Sequence, residues 1–289
     1  MKVEAPTIPE RAIPHATAQS QSQRMGWRAS RGLLLWLASL PMLLFYLLPL
    51  LALLLRVSPA DLLSNLVDSQ VAQAIQVSMT TTLTATGITL VFGAPLAYLL
   101  ARRRFRGRAA LDTLIDLPML LPPSVAGIAL LVAFGRRGLV GQSLADAGIQ
   151  IAFTQIAVIM AQVFVASPFF VKSAISAFTA VDRELEAAAA VDGAAPLGVF
   201  WRITLPLSAS ALFGGIVMTW ARALGEFGAT IIFAGNFPGR TQTMPLAIYI
   251  GFEIDLNVAL TLSAILLLIA FAVLLLVKAV LRQRVEVAL

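Results

Sequence analysis

Arg222 and Glu226 stand four residues apart within a stretch, about Leu207 to Phe233, that is otherwise free of charge. That spacing puts both side chains on one helical face, within reach of each other. An ionisable group at membrane depth costs about 2.5–3.5 kcal/mol on insertion scales, so such residues face a bundle interior or water. The pair therefore reads either as part of a translocation path or gate, or as a pin between helices, and the spacing leaves both open. The rest of the inventory excludes more than it offers. There is no cysteine, and the single histidine, His15, lies in a polar N-terminal stretch. Thiol chemistry, disulfides, Cys/His metal sites and a histidine-based triad are thereby removed. The lysines are Lys2, Lys172 and Lys278, and none follows the glycine-rich spacing of a phosphate-binding loop, so the chain does not split ATP by that route. With neither the paired-aspartate site of an intramembrane hydrolase within spans nor a Ser/His arrangement, the chain is expected not to be an enzyme and to hold no cofactor of its own.

The elements that carry these residues follow from composition. The 289 residues are 59% hydrophobic and 12% charged, with a mean hydropathy of +0.87, whereas soluble domains carry about 25% charged residues. Six apolar blocks stand out, about Leu33–Leu55, Ala74–Ala101, Leu111–Phe134, Phe153–Val171, Leu207–Phe233 and Leu256–Val280. Each is long enough to cross a bilayer, so the fold class is an all-α integral membrane protein with about six transmembrane helices in contact with lipid. Residues 1–31 are polar, rich in Gln, Ser and Pro, and read as a disordered cytoplasmic tail, leaving residues 32–289 as one membrane domain. The first apolar block exceeds the about 7–15 residues of a signal-peptide core and is expected to remain as a span.

Arginine placement sets the orientation. The tail, the run Arg102, Arg103, Arg104, Arg106 and Arg108, then Arg183, Arg202, Lys278, Arg282 and Arg284 collect on one side. Arg56, Arg136, Arg137 and Arg240 remain for the other. The positive-inside rule then puts both termini in the cytoplasm and reads the 102–108 run as a topology signal. The same distribution accounts for a pI near 10.5 without nucleic acid, because the basic residues sit at block ends and form no patch. Ser78, Thr80, Thr81, Thr82, Thr84 and Thr86 form a polar stripe of the kind that packs against other helices. Pro118 and Pro122-Pro123 interrupt the third block and imply a kink or a broken helix there, as a hinge, a pathway wall or a tolerated bend.

The cytoplasmic stretch between the fourth and fifth blocks, Val181 to Pro206, is the most informative. Glu184 to Asp192 is Ala-rich with acidic residues near its start, as the helix dipole favours, and Gly193 is placed as a helix stop. A second short helix, about Pro196 to Trp201, presents Leu197, Phe200 and Trp201. Two short helices joined at a glycine read as a docking element for a partner protein, or as an amphipathic loop lying on the bilayer.

This stretch resembles the cytoplasmic loop of ABC-importer permeases, whose pattern is Glu-Ala-Ala, three residues, Gly, nine residues, Ile, one residue, Leu-Pro. Gly193, Ile203, Leu205 and Pro206 match in spacing, while the position of the glutamate falls on Ala187 and Glu186 sits one residue early. The resemblance implies the type I ABC-importer permease fold. It also implies an ATPase-coupling role for Glu186, Ala187, Ala188, Asp192, Gly193, Ala194, Pro196, Phe200, Ile203, Leu205 and Pro206, with residues about 193–202 as the helix that lies in a cleft of the ATPase.

A narrower resemblance covers about Thr80 to Val277. Pro118-Met-Leu-Leu-Pro-Pro-Ser-Val-Ala-Gly127, Phe134-Gly-Arg-Arg-Gly-Leu139 and the run from Ala221 to Gly239, with Gly225-Glu-Phe-Gly-Ala in it, are similar to permeases of molybdate or tungstate importers, relatives of the sulfate permeases. It implies a homodimer, two ATPase subunits that bind ATP and Mg, and an extracytoplasmic oxyanion-binding protein. It further implies a multi-pass place in a bacterial or archaeal plasma membrane, and alternating access past Pro122, Pro123, Arg222 and Glu226. The alternatives are a sulfate or thiosulfate permease and an ion-coupled secondary transporter. The last typically shows inverted repeats and several mid-membrane carboxylates, where this chain offers Glu226 as the clear one.

Overall fold

The computed structural model describes residues 18–66 and 68–287, with side chains described between Leu35 and Ala279 except at positions 61 and 67. Its elements are α1 (Ala18–Arg56), α2 (Pro59–Leu66), α3 (Ser69–Arg102), α4 (Arg108–Leu120), α5 (Pro123–Phe134), α6 (Gly141–Asp146) and α7 (Gln155–Ala180), followed by α8 (Arg183–Val191), α9 (Pro196–Val199), a π-helical turn at Phe200–Thr204, α10 (Leu205–Leu224), α11 (Gly228–Phe233), α12 (Met244–Ile254) and α13 (Leu256–Val287). Five helical stretches are long and apolar enough to cross a membrane, and α4 with α5, bent by 115° at their junction, make a possible sixth. The class expected from composition is the one observed.

The expected tail lies outside the described residues as far as residue 17; from Ala18 the chain is already in α1. The prolines of the N-terminal stretch end at Pro14, and Ala, Gln, Arg and Met then carry the helix of the first span through Gly26. This N-terminal part, through Leu55, forms one compact unit and Arg56–Leu289 another.

Within the second unit, α7 is the centre. Ala157, Ala161, Ala166, Ala174 and Ala177 are buried along it, and such small side chains let neighbouring backbones approach closely. Its cytoplasmic half packs with α3 and α10 through Ala97, Phe170, Val171, Phe178 and Leu212, and its outer half with α5 and α11 through Ala126, Leu130, Val165, Ala229 and Phe233. A third cluster joins α3, α12 and α13 at Val71, Ala74, Met244, Leu262 and Ile265.

Local signals explain the boundaries. Asp68 caps α3, accepting from the Gln70 amide at 2.7 Å, which starts that helix five residues before the apolar block does. The hydroxyls of Thr80, Thr81, Thr82, Thr84 and Thr86 all donate to backbone carbonyls one turn earlier, so the stripe is spent on its own helix. Ser78 differs: its Oγ accepts from the Met244 amide at 2.7 Å and caps α12, an element absent from the six-block reading because it is only 11 residues long.

Candidate functional site

The cytoplasmic segment starts with a capped helix. Asp182 accepts from the Glu184 amide at 2.9 Å, and α8 then runs to Val191. It stops as the sequence predicts: Gly193 has φ +87°, its amide donates to the Ala190 carbonyl, and the Ala194 amide donates to Ala189 at 3.0 Å. Those two bonds are the paired closure of a helix end on a left-handed glycine. Pro196 then opens α9, where its missing N–H has no cost.

The two short helices joined at a glycine are present, but the second runs past its expected end at about Trp201. α9 does not end in a loop; through the π turn it continues directly into α10, so Pro196–Leu224 forms one span of 29 residues. Pro206 supplies the reason. It has no amide to give to the Arg202 carbonyl and its ring crowds that carbonyl, and the turn widens so that the Leu205 amide reaches back to Phe200. The turn aims Phe200 at Tyr98 of α3 and Phe178 of α7, with ring centroids 5.1 and 6.1 Å apart, while Trp201 on the next face stays exposed. Leu185, Val191 and Leu197 of the same segment are exposed as well.

Glu186, the glutamate one position early, is the polar centre of this segment. Its Oε1 accepts from Arg102 Nη2 at 2.7 Å and from the Thr204 hydroxyl at 2.6 Å, and Nη1 and Nη2 of Arg102 also donate to the Val181 carbonyl at 3.2 Å. Arg102 is therefore more than a topology signal, a correction to the reading of the 102–108 run: its side chain is 9% exposed, while Arg103, Arg104 and Arg106 remain exposed. Ala187, Ala188 and Asp192 face outward on α8 and its cap, Ala194 is half-buried, and Ile203 and Leu205 lie half-buried in the turn.

Farther into the membrane, the fifth block is two elements rather than one. α10 ends at Leu224, and Glu226 lies in the break before α11. The expected ion pair forms, Arg222 Nη1 to Glu226 Oε2 at 2.8 Å, and the other carboxylate oxygen accepts from the Ala229 amide at 2.8 Å. Glu226 is 1% exposed and Arg222 29%, so one carboxylate compensates a neighbouring cation and caps the next helix at once. The pair bridges the end of α10 and the start of α11 across the break.

The break at Pro122-Pro123 meets it. A Cβ on Gly228 would lie 2.7 Å from Pro123 Cβ, and one on Gly127 2.9 Å from the Ala229 carbonyl oxygen, so α5 and α11 approach closely where one side of each contact is a glycine. The four residues expected along the path thus belong to two broken segments packed on each other.

Sequence reasoning missed Asp112 and Asp116. Both lie on α4 and pair with Lys172 of α7, at 2.7 and 2.9 Å. They lie at the start of the third apolar block, with side chains 48% and 40% exposed, in contrast to the buried Glu226. Their spacing of four was a legible signal; the partner, 60 residues away, was not. On the opposite side Arg136 and Arg137 follow α5 and, with Gln142, Ala145 and Asp146, line an open cavity of about 430 Å³.

Comparison with known proteins gives one answer at three levels. The sequence profile of the family described as "binding-protein-dependent transport system inner membrane component" matches residues 90–287. The chain is similar to the molybdenum transport system permease protein ModB of Mycobacterium bovis, 41% identical over 240 residues, which is 83% of this chain and 91% of that one. It is also similar to a probable sulfate transport system permease protein, cysT, of Chlorokybus atmophyticus, 36% identical over 74% of this chain and 76% of that one. Among solved structures, a bacterial ABC transporter that imports the acidic polysaccharide alginate superposes with a TM-score of 0.67 at 18% identity, over 90% of this chain and 99% of that chain. At that identity the likeness carries the fold, that of a type I ABC-importer permease.

Proposed function

The chain belongs to the family of binding-protein-dependent transport system inner membrane components, and we propose that it is the membrane subunit of an ATP-driven importer of molybdate or tungstate. The observation that carries the substrate is the 41% identity to a molybdenum permease over 83% of this chain and 91% of that one. The sulfate reading is the second one, favoured by the 36% identity to a probable sulfate permease.

In this reading two copies enclose the path. Two ATPase subunits, which bind ATP and Mg, grip the cytoplasmic segment from Glu186 to Pro206, and an extracytoplasmic binding protein delivers the anion. The chain itself performs no hydrolysis. Its work is mechanical: the exposed faces of Leu197 and Trp201 enter the partner's cleft, and displacement of α9 passes through the π turn into α10 without an intervening loop. At the far end of α10, the Glu226 joint passes the movement to α11 and to the Pro122-Pro123 break that α11 contacts. Arg222, partly exposed, offers an oxyanion a weak and transient attraction, as a path needs if the ion is to leave.

The test is uptake of labelled molybdate by membrane vesicles carrying the complete assembly, with tungstate and sulfate as competitors. ATP-dependent uptake suppressed by tungstate and indifferent to sulfate is expected. Suppression by sulfate at equal concentration turns the assignment to the sulfate permeases.

A further inference from the structure

We infer that Arg102 is a positioning residue that ties the coupling segment to α3 and α7, so that a pull on the segment reaches those helices as well as α10. The inference rests on the reading that an ATPase grips this segment. Its basis is the convergence of four parts of the chain on one guanidinium and one carboxylate oxygen: the last residue of α3, the carbonyl just after α7, Glu186 of α8, and Thr204 of the π turn.

Two features make this a mechanical joint and not a surface ion pair. First, α8 buries no residue of its own, so apolar packing does not fix its place; the polar bonds of Glu186 do. Surface ion pairs contribute little, but Arg102 is 9% and Glu186 17% exposed, and the guanidinium shares its donors between a carboxylate and a carbonyl in a fixed fork. Second, Thr204 is fully buried at the base of α10 and donates to the same oxygen that Arg102 holds. A shift of α9 and the π turn therefore moves Glu186 and, through it, the end of α3. Beside this node Tyr98 of α3 packs on Phe200 at 5.1 Å and on Phe178 at 5.5 Å, an apolar contact in parallel with the polar one. The Nε–H of Arg102 is buried with no hydrogen-bond partner among the described residues.

The experiment uses the complete assembly, this chain with its ATPase and binding protein, in proteoliposomes, with ATP hydrolysis and molybdate uptake measured on one preparation. Arg102→Gln is expected to hydrolyse ATP and to take up about tenfold less molybdate per ATP, the scale of one lost charge-assisted hydrogen bond. Arg102→Lys, which keeps a donor for Glu186, is expected to recover part of that loss. Thr204→Val, which removes only the hydroxyl on the far side of the same oxygen, is the second probe where Arg102→Gln impairs folding, and is expected to lower the ratio two- to threefold, about the scale of one neutral hydrogen bond. Combining Arg102→Gln with Glu186→Gln should cost no more than either alone, because one node is broken once. Wild-type uptake per ATP in Arg102→Gln or Thr204→Val, or additive losses in the pair, overturns the inference while leaving the importer reading intact. A wild-type assembly whose uptake ignores ATP overturns that reading instead.

Discussion

Arg222–Glu226 closes over four residues of one chain segment, whereas Arg102–Glu186 joins residues 84 apart. The first pair lies in a helix break within the membrane, with its carboxylate 1% exposed, and its second oxygen caps the helix beyond the break. The second lies where the cytoplasmic segment meets the bundle, and its carboxylate gathers the ends of separate elements. Each is an arginine paired with a glutamate, yet one shapes a break within one segment and the other joins separate elements. Breaking the local pair should therefore be felt as lost stability, and breaking the distant pair as lost coupling.

Glu226→Ala is the largest expected effect. It strands a mostly buried guanidinium and removes the cap of α11; a fully buried pair costs about 3–5 kcal/mol when one partner is removed, and somewhat less is expected here because Arg222 keeps part of its side chain exposed. Thermal unfolding in detergent should show a clear fall in midpoint. Glu186→Ala sharpens the comparison: it strands Arg102, 9% exposed, but the Val181 carbonyl still accepts from both nitrogens of that guanidinium at the cytoplasmic edge, so the unfolding midpoint should drop by less while uptake per ATP falls severalfold. Equal destabilisation by the two substitutions would erase the distinction.

Gly193 comes next. A Cβ there meets no atom within 4 Å, so bulk alone does no harm inside this chain; the left-handed backbone does, at about 1–2 kcal/mol for an ordinary residue. Gly193→Val should lower molybdate uptake while the protein still inserts, and Gly193→Asn, which tolerates that conformation, should retain most of it. Matching losses for Asn and Val would show that the ATPase cleft senses size and not backbone shape. Smallest is Asp116→Asn. Asp112 still holds Lys172, and partly exposed pairs contribute under about 1 kcal/mol, so the unfolding midpoint should scarcely move.

These contrasts also mark what was legible in the sequence. Gly193 as a helix stop, the proline break of the third block and the pairing of Arg222 with Glu226 depend on residues within a few positions of one another, and local spacing encodes them. The end of α10 at Leu224 was missed because nothing apolar stops there; Glu226 turns back to cap α11, which tertiary packing on α5 stabilises. Arg102 looked like any basic residue at a span end, and Lys172 like a solitary charge, because their partners lie 84 and 60 residues away. The π turn was hidden for a different reason: the fifth block reads as starting at about Leu207, just after Pro206, and only the arrival of α9 from the other side makes this a widened turn within one span.

The central claim is that this chain converts another subunit's work into movement of an anion. The most direct measurement is molybdate accumulation in proteoliposomes, with the chain reconstituted alone or with its ATPase and binding protein, before and after ATP is supplied inside or outside as orientation requires. Accumulation against a gradient is expected only with all components and ATP. Accumulation by the chain alone would contradict the account.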